Sequence, residues 1–377
     1  MTLLSKLASI VAALLVSTSF ASAQTSITPP LHTSGTQILD SHNQPVQLRS
    51  VNWYGFDQKN FVAGGLDHAS LDTIADLIGS MGFNSVRLPW ANETVEHNPA
   101  VADSALAANP QLRGKHSLGI LDAVIAALTR RHIMVVLDDH MSDADWCCSE
   151  TDGNGLWYND RYPESAWLAD WKFMAQRYKH NPLVIGADLR NELRSGAAWG
   201  GSDPKLDWRA AAERGANAVL SVNPKLLIFI EGPRYSTRFD DVARFPIQLS
   251  IAGRVVISPH AYSIGHTYKS YDEAAAALNR EFTPLLTAAQ PLPLWVGEFG
   301  HCTMSPCQAY GSQWLTWFAR WANDHHIANT SWWALNATES SGQSRVLGKP
   351  ETYGLLTLDW QHVRSPETIT LIQSIHP

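Results

Sequence analysis

Two glutamates stand out by their settings. Glu192 lies in Leu189-Arg190-Asn191-Glu192-Leu193, which follows the apolar run from Pro182 to Asp188. Glu298 opens Glu298-Phe299-Gly300, directly after the run Leu294-Trp295-Val296-Gly297. Each run has the length and boundaries of a buried strand. The C-terminal ends of such strands are where a barrel or an open α/β sheet carries its chemistry. Two carboxyl groups there can divide the work at a glycosidic bond: one donates a proton, the other attacks or activates water. A single glutamate in such a place more often begins a solvated loop. Two in matched settings, with polar residues at other strand ends, favour the chemical reading.

The rest of the chain must hold those two ends together, and its pattern alternates accordingly. Val51-Asn52-Trp53 ends a first strand, and Ser70 to Met81 has helical periodicity. Residues 84–90, 133–138, 182–188, 226–230, 255–258, 294–297 and 329–333 read as seven more strands. Helices fit near 117–131, 165–179, 207–222, 272–286, 311–324 and 366–375, and only the fifth connection lacks a clear one. Eight apolar runs alternating with helices predict an α/β fold, a (β/α)8 barrel in one domain over residues 35–377. An open doubly wound sheet is the alternative, but no Gly-rich phosphate loop follows any strand. Ahead of the barrel, Gln37-Ile38-Leu39 and Val46-Gln47-Leu48 flank Asp40 to Pro45 as a hairpin. Residues 24–34 read as a loose arm.

Composition narrows the partners. The chain has 377 residues, 17% of them charged, a formal charge of −7 and no basic stretch, which argues against nucleic acid. It holds 15 tryptophans, more than a core alone asks for, and flat indole faces suit sugar rings. The first 23 residues read as a secretory signal, with Lys6, an apolar run from Leu7 to Val16 and Ala21-Ser22-Ala23 as cleavage site. No later segment reaches membrane-spanning length, so no membrane partner is expected after cleavage. Export permits disulfides. The cysteines are Cys147, Cys148, Cys302 and Cys307. Adjacent cysteines make a poor zinc pattern. The favoured pairing is Cys302–Cys307 as a loop clip and Cys147–Cys148 as a vicinal bridge, with two bridges between the loops as the alternative.

Polar residues recur at the strand ends: Asn52, Arg87, His140, Asn191-Glu192, His260 with Tyr262, Glu298 and Trp333. A barrel brings these to one face. The segments that carry them are Val51-Asn52-Trp53, Val86-Arg87-Leu88-Pro89, Leu137-Asp138-Asp139-His140, Arg190-Asn191-Glu192, Pro259-His260-Ala261-Tyr262, Val296-Gly297-Glu298-Phe299-Gly300 and Ser331-Trp332-Trp333. In order and content they resemble glycoside hydrolase family 5. Two places depart from the family: Leu193, where Pro is common, and the long segment from Met141 to Ser165. The resemblance implies Glu192 as general acid/base, with a raised pKa, and Glu298 as an ionised nucleophile. It implies that Arg87 and Tyr262 hold Glu298, and that His260 arranges the network. Asn52 would support the site. Asn191 would bind the sugar's 2-hydroxyl, His140 would hydrogen-bond the same sugar, and Trp333 would lie beneath it. Neither metal nor organic cofactor is needed. Retention implies carboxyl groups about 5–5.5 Å apart.

The segment after the third strand supplies Trp146, Trp157 and Tyr158. They read either as sugar platforms or as a satellite core under a long loop; Trp90 and Trp199 are weaker platform candidates. The leading function is a secreted retaining endo-β-1,4-glucanase, acting as a monomer on a β-linked polysaccharide or oligosaccharide. The alternatives are exo or disaccharide-releasing cleavage, a β-mannanase, and a non-catalytic carbohydrate-binding barrel.

Overall fold

The computed structural model describes residues 27–201, 203–264, 266–305, 307–343 and 345–375. The expected signal, residues 1–23, lies outside them.

Two strands, β1 (His32–Ser34) and β2 (Gln37–Leu39), form an antiparallel hairpin with His32 opposite Leu39. The expected arm therefore ends earlier than residue 34, and β2 finds its ladder partner upstream. Gly35 takes φ 55°, which a tight turn between the two strands requires. The expected partner segment still joins the other edge: Val46 N–H donates to Ile38 at 2.8 Å. The Asp40 carboxylate organises the intervening turn by accepting from the N–H groups of Thr28, His42 and Gln44. Leu31, Ile38, Val46 and Leu48 are buried against Met134, Ile185, Leu227 and Trp295. The hairpin region thus packs beneath the starts of the barrel strands.

The barrel elements follow in order. They are β3 (Arg49–Asn52), α1 (Leu71–Ser80), β4 (Ser85–Ala91), α2 (Asn92–His97), α3 (Ser117–Thr129) and β5 (Met134–Met141). Next come α4 (Glu164–Arg177), β6 (Val184–Asp188), α5 (Trp208–Val222), β7 (Leu227–Ile230), α6 (Pro233–Ser236) and β8 (Val255–Ile257). Then β9 (His260–Ala261), α7 (Tyr271–Leu286), β10 (Val296–Phe299), α8 (Gln308–Asp324), β11 (Thr330–Trp332) and α9 (Pro366–Gln373) complete the chain. Four of the helices, α1, α5, α7 and α9, start at a side-chain cap. Side chains of Ser70, Asp207, Ser270 and Ser365 each accept from an N–H three residues on. In α1 the buried residues are Leu71, Ile74, Ala75 and Ile78, one stripe facing the sheet. The doubtful fifth connection holds only α6, in which Arg234, Tyr235 and Ser236 have φ of 54°, 58° and 55°. That is a left-handed turn, not a helix.

The nine strands run parallel in the order β8-β7-β6-β5-β4-β3-β11-β10-β9. Strands β8 and β9 are two halves of one stave, broken at Ser258-Pro259. The first half pairs with β7 and the second with β10. Trp295 N–H donates to Ile257 and Gly297 N–H to Pro259, so the ring closes through this stave. The fold is a (β/α)8 barrel with an added N-terminal hairpin. Every residue of β4 and β5 is buried, inward and outward, as strands between core and helices must be.

The long segment after β5 divides into two parts. Trp157 is fully buried, 5.7 Å from the Trp208 ring, and its Nε1 donates to Glu164 at 2.8 Å. Tyr158 packs edge-on against Trp157, and its hydroxyl donates to the Lys205 carbonyl. These two are a satellite core on α4 and α5, not platforms. Trp90 and Trp199 are buried as well. We expect Trp157→Ala to lower stability by about 3–5 kcal/mol, read by denaturant melts. Its activity should change alike on long and short substrates. An unchanged melt would contradict the burial argument.

Candidate active site

Arg87 reaches the barrel axis from β4 and is fully buried. A guanidinium out of water needs compensating charge, and four carboxylates supply it. Its nitrogens lie 2.7 Å from Glu298, 2.8 Å from Asp188, 2.9 Å from Glu231 and 3.1 Å from Asp138. Burial opposes its charge, but the carboxylates outweigh it and hold its pKa well above the ordinary arginine value. It also donates to the side-chain oxygens of Asn52 and Asn191. Asn52 in turn donates to Gly297 and Ser331, so it ties β3 to β11 and to β10 beyond it, and it has no exposed surface.

Glu298 accepts from Arg87 on one oxygen and from the Tyr262 hydroxyl, at 2.9 Å, on the other. Burial and the neighbouring Glu298 charge push the Tyr262 pKa well up, so it remains a donor. Glu192, just past β6, has a φ of 43°, a left-handed conformation unusual for a side chain of this kind. Its backbone N–H is held by Glu231 at 2.8 Å. One carboxylate oxygen faces His260 Nδ1 at 3.0 Å. His260 stands between the two glutamates: its Nδ1 is 3.7 Å from Glu298, and its Nε2 is 3.2 Å from Glu231. Burial works against a charge on His260. The carboxylates of Glu231 and Glu298, with hydrogen bonds to Glu192 and Glu231, overcome this and raise its pKa well above the ordinary value. Oxygens of Glu192 and Glu298 lie within 4.8 Å of each other.

The two carboxyl groups titrate against one imidazolium. Burial is the largest influence on each. At Glu192 the nearer His260 outweighs it and holds the pKa below the ordinary value. At Glu298 burial outweighs His260 and Arg87, and the pKa is raised. In the free site this is the reverse of the expected order, in which Glu192 carries the raised value. The cause is the position of His260, 3.0 Å from one carboxylate and 3.7 Å from the other.

Beside this pair, His140 Nδ1 donates to Asp138 at 2.7 Å, which leaves Nε2 to face the Asn191 amide at 3.3 Å. Burial lowers the His140 pKa. Trp333, only 8% exposed, stacks with His140 and Tyr54. Trp146 packs edge-on against Trp333, and the Arg345 guanidinium covers one face of its ring at 3.6 Å. A cleft of about 640 Å³ runs past His140, Trp146, Asn191, Glu192, Glu298 and Trp333. Of the expected site residues, Trp157 and Tyr158 lie outside it, and Asn52 and Arg87 lie beneath it. A second cavity of about 310 Å³, between Pro29–Leu31 and Lys179–Pro182, sits at the strand starts.

Several members were not anticipated: Glu231, Asp188, Asp138, Tyr54, Glu351, Arg345, and the pair Arg234-Tyr235 that lines the cleft. Glu231 had a signal, since it follows Leu226–Ile230 as a third strand-end glutamate. Two groups of described residues place three potential metal ligands within 4.8 Å, namely Cys147, Cys148 and Glu192, and Glu192, His260 and Glu298. Neither donor set suits an ion. Two adjacent cysteines make a poor ligand pattern, and His260 already donates toward Glu192.

Residues 39–339 match the model of the family described as Cellulase (glycosyl hydrolase family 5). The chain belongs to glycosyl hydrolase family 5. An endoglucanase of Paenibacillus polymyxa is 32% identical over 92% of this chain and 87% of its own length. The major extracellular endoglucanase of Xanthomonas campestris pv. campestris is 33% identical over 90% of this chain and 69% of its own. The solved catalytic domain of that Xanthomonas endoglucanase superposes with a TM-score of 0.78 at 30% identity, covering 92% of this chain and 99% of the domain. A hyperthermophilic endocellulase of Pyrococcus horikoshii superposes with a TM-score of 0.80 at 25% identity, covering 92% of this chain and 98% of that one. As a family 5 member the chain is a glycoside hydrolase.

Glu231→Gln should move the pH profile of hydrolysis. The amide keeps an oxygen for the Glu192 N–H but loses the charge that most strongly keeps His260 protonated. His260 then becomes neutral at lower pH. Both glutamates lose a nearby cation, so both pKa values rise. The limb set by the ionised glutamate and the limb set by the protonated one should both shift to higher pH, as read from kcat/KM against pH. An unchanged or acid-shifted profile would contradict this wiring.

Proposed function

We propose that the protein is a secreted retaining endo-β-1,4-glucanase. Glu298 is its nucleophile and Glu192 its acid/base. The observation that carries the mechanism is the approach of the two glutamates, with oxygens within 4.8 Å. Retaining glycosidases hold their carboxyl groups about 5–5.5 Å apart, and inverting ones need roughly 6.5–9.5 Å to seat a water between. Arg87 and Tyr262 both donate to Glu298, which suits an anion that must attack.

The steps follow from those contacts. Substrate filling the cleft removes water from Glu192, and desolvation favours its neutral form. Glu298 attacks the anomeric carbon, while Glu192 gives its proton to the departing glycosidic oxygen. The product is a sugar ester of Glu298. Water then enters, Glu192 takes its proton, and the second displacement restores the original configuration. The Asn191 amide faces the 2-hydroxyl of the attacked sugar, His140 touches the same ring, and the exposed part of Trp333 lies below it. Cleavage within a chain is favoured because the half of the loop bearing Trp157 and Tyr158 packs away from the cleft. The relatives named as endoglucanases, one of them extracellular, support a β-glucan substrate and export.

Glu192→Ala and Glu298→Ala separate the two roles. Loss of the acid/base should cost roughly 10²–10⁴-fold on an unactivated β-glucan. With azide and an activated aryl glycoside, Glu192→Ala should yield a β-glycosyl azide and Glu298→Ala an α-glycosyl azide. The same anomer from both would reject the assignment. A rapid fall in the viscosity of soluble β-1,4-glucan checks endo cleavage; slow release of short sugars at unchanged viscosity would reject it.

A further inference from the structure

The cleft beyond Glu192 has a wall made of sulfur. Cys147 and Cys148 are half-buried, bring their sulfurs together and line the cleft beside Trp146. One oxygen of Glu192, Oε1, is occupied by His260. The other, Oε2, lies 3.8 Å from Cys147 Sγ. That second oxygen faces the cleft beside the sulfurs, which also lie 3.5 and 4.0 Å from the Asn191 amide, so a sugar whose glycosidic oxygen meets it lies against the sulfur pair. We infer that Cys147 and Cys148 form a disulfide that is the apolar wall of the leaving-group sugar subsite and sets how well an unactivated sugar is held there, a role that rests on Glu192 being the proton donor.

The wall is built into the catalytic strand end. Arg194 is buried, and its guanidinium donates to the Glu192 carbonyl at 2.8 Å and to the Ser149 carbonyl at 2.8 Å. It also pairs with Asp152, whose carboxylate accepts from the Ser149 N–H. On the far side, Tyr235 projects from the left-handed turn after β7 and lines the same cleft. Its hydroxyl donates to Glu150 at 2.8 Å, and the Arg194 guanidinium lies 5.9 Å from its ring. Three loops are thereby locked around one carboxyl group. A run of three non-glycine residues with positive φ is costly and persists where surrounding contacts enforce it. A disulfide offers a rigid, polarisable face with no hydrogen-bonding hydrogen. It can rest against the C–H face of a sugar while the hydroxyls stay in water. Reduction would replace that face with two separate thiols on a freer chain.

The test compares two leaving groups in the full-length protein. Cellopentaose departs as a sugar that needs both the wall and the Glu192 proton. Dinitrophenyl β-cellobioside loses an acidic phenol that needs neither. For Cys147→Ser/Cys148→Ser we expect kcat/KM to fall about tenfold on cellopentaose and less than about twofold on the aryl substrate. Dithiothreitol, passing two electrons and two protons to the sulfur pair and leaving as its cyclic disulfide, should reproduce that loss in the wild-type protein. Reoxidation should restore activity. Cys302→Ser/Cys307→Ser should keep this response, and the Cys147/Cys148 variant should lack it. The reduction arm decides the matter even where the double variant fails to fold. Equal loss on both substrates, no effect of reduction, or alkylation of Cys147 and Cys148 by iodoacetamide in the unreduced native protein would each overturn the inference. Turnover of neither substrate by the wild-type chain would instead remove the glycosidase mechanism beneath it.

Discussion

One buried cation organises this barrel. Arg87 stands on the axis with Asp138, Asp188, Glu231 and Glu298 around it, and of these groups only Glu298 touches the cleft. Adding His260 and Glu192 leaves two cations facing five acids. Such a cluster cannot be fully ionised. Burial, partly offset by Arg87, pushes the carboxyls of Asp138 and Asp188 up to about 7. Glu298 sits at the cleft edge of the cluster, where Arg87 and Tyr262 both donate to its carboxylate. The polar layer spans β4, β5, β6, β7, β9 and β10, so the register of almost every stave matters to the site.

The broken sixth stave shows how backbone and chemistry are joined. Its interruption at Ser258-Pro259 lets β9 shift onto β10, which sets His260 opposite Glu298. From there the imidazole reaches both glutamates and Glu231. Glu231 in turn holds the N–H of Glu192 in its left-handed conformation. One carboxylate thus fixes the backbone of one glutamate and the charge of the histidine between both.

Much of this was legible in the residues. All eight staves showed as apolar runs, because strands buried on both sides carry little else. Helices showed through their periodicity, and the convergence of strand ends followed from barrel geometry alone. What stayed hidden was partnership. Asp188 reads as the polar end of a run, and nothing local says that it faces Arg87. Trp146 and Trp157 lie on one loop with similar neighbours. Only packing against Trp208 separates the buried anchor from the cleft-lining ring. The electrostatics of the two glutamates were also beyond reach, since they depend on where His260 stands, 3.0 Å from Glu192 and 3.7 Å from Glu298. The hairpin was recognised but its first strand was not, because a three-residue strand of polar residues carries no apolar pattern.

Barrel closure also bears on when the protein becomes active. The first stave, β3, pairs with the last, β11, across nearly the whole chain, with Ser50 opposite Ser331. Asn52, on β3, reaches Ser331 and Gly297, and its oxygen helps seat Arg87. Pairings so distant in sequence form late, after loop-closure entropy has been met. A chain still emerging during synthesis therefore carries both glutamates without the ring that aligns them. Their alignment waits on the final strand, a delay that comes from topology alone.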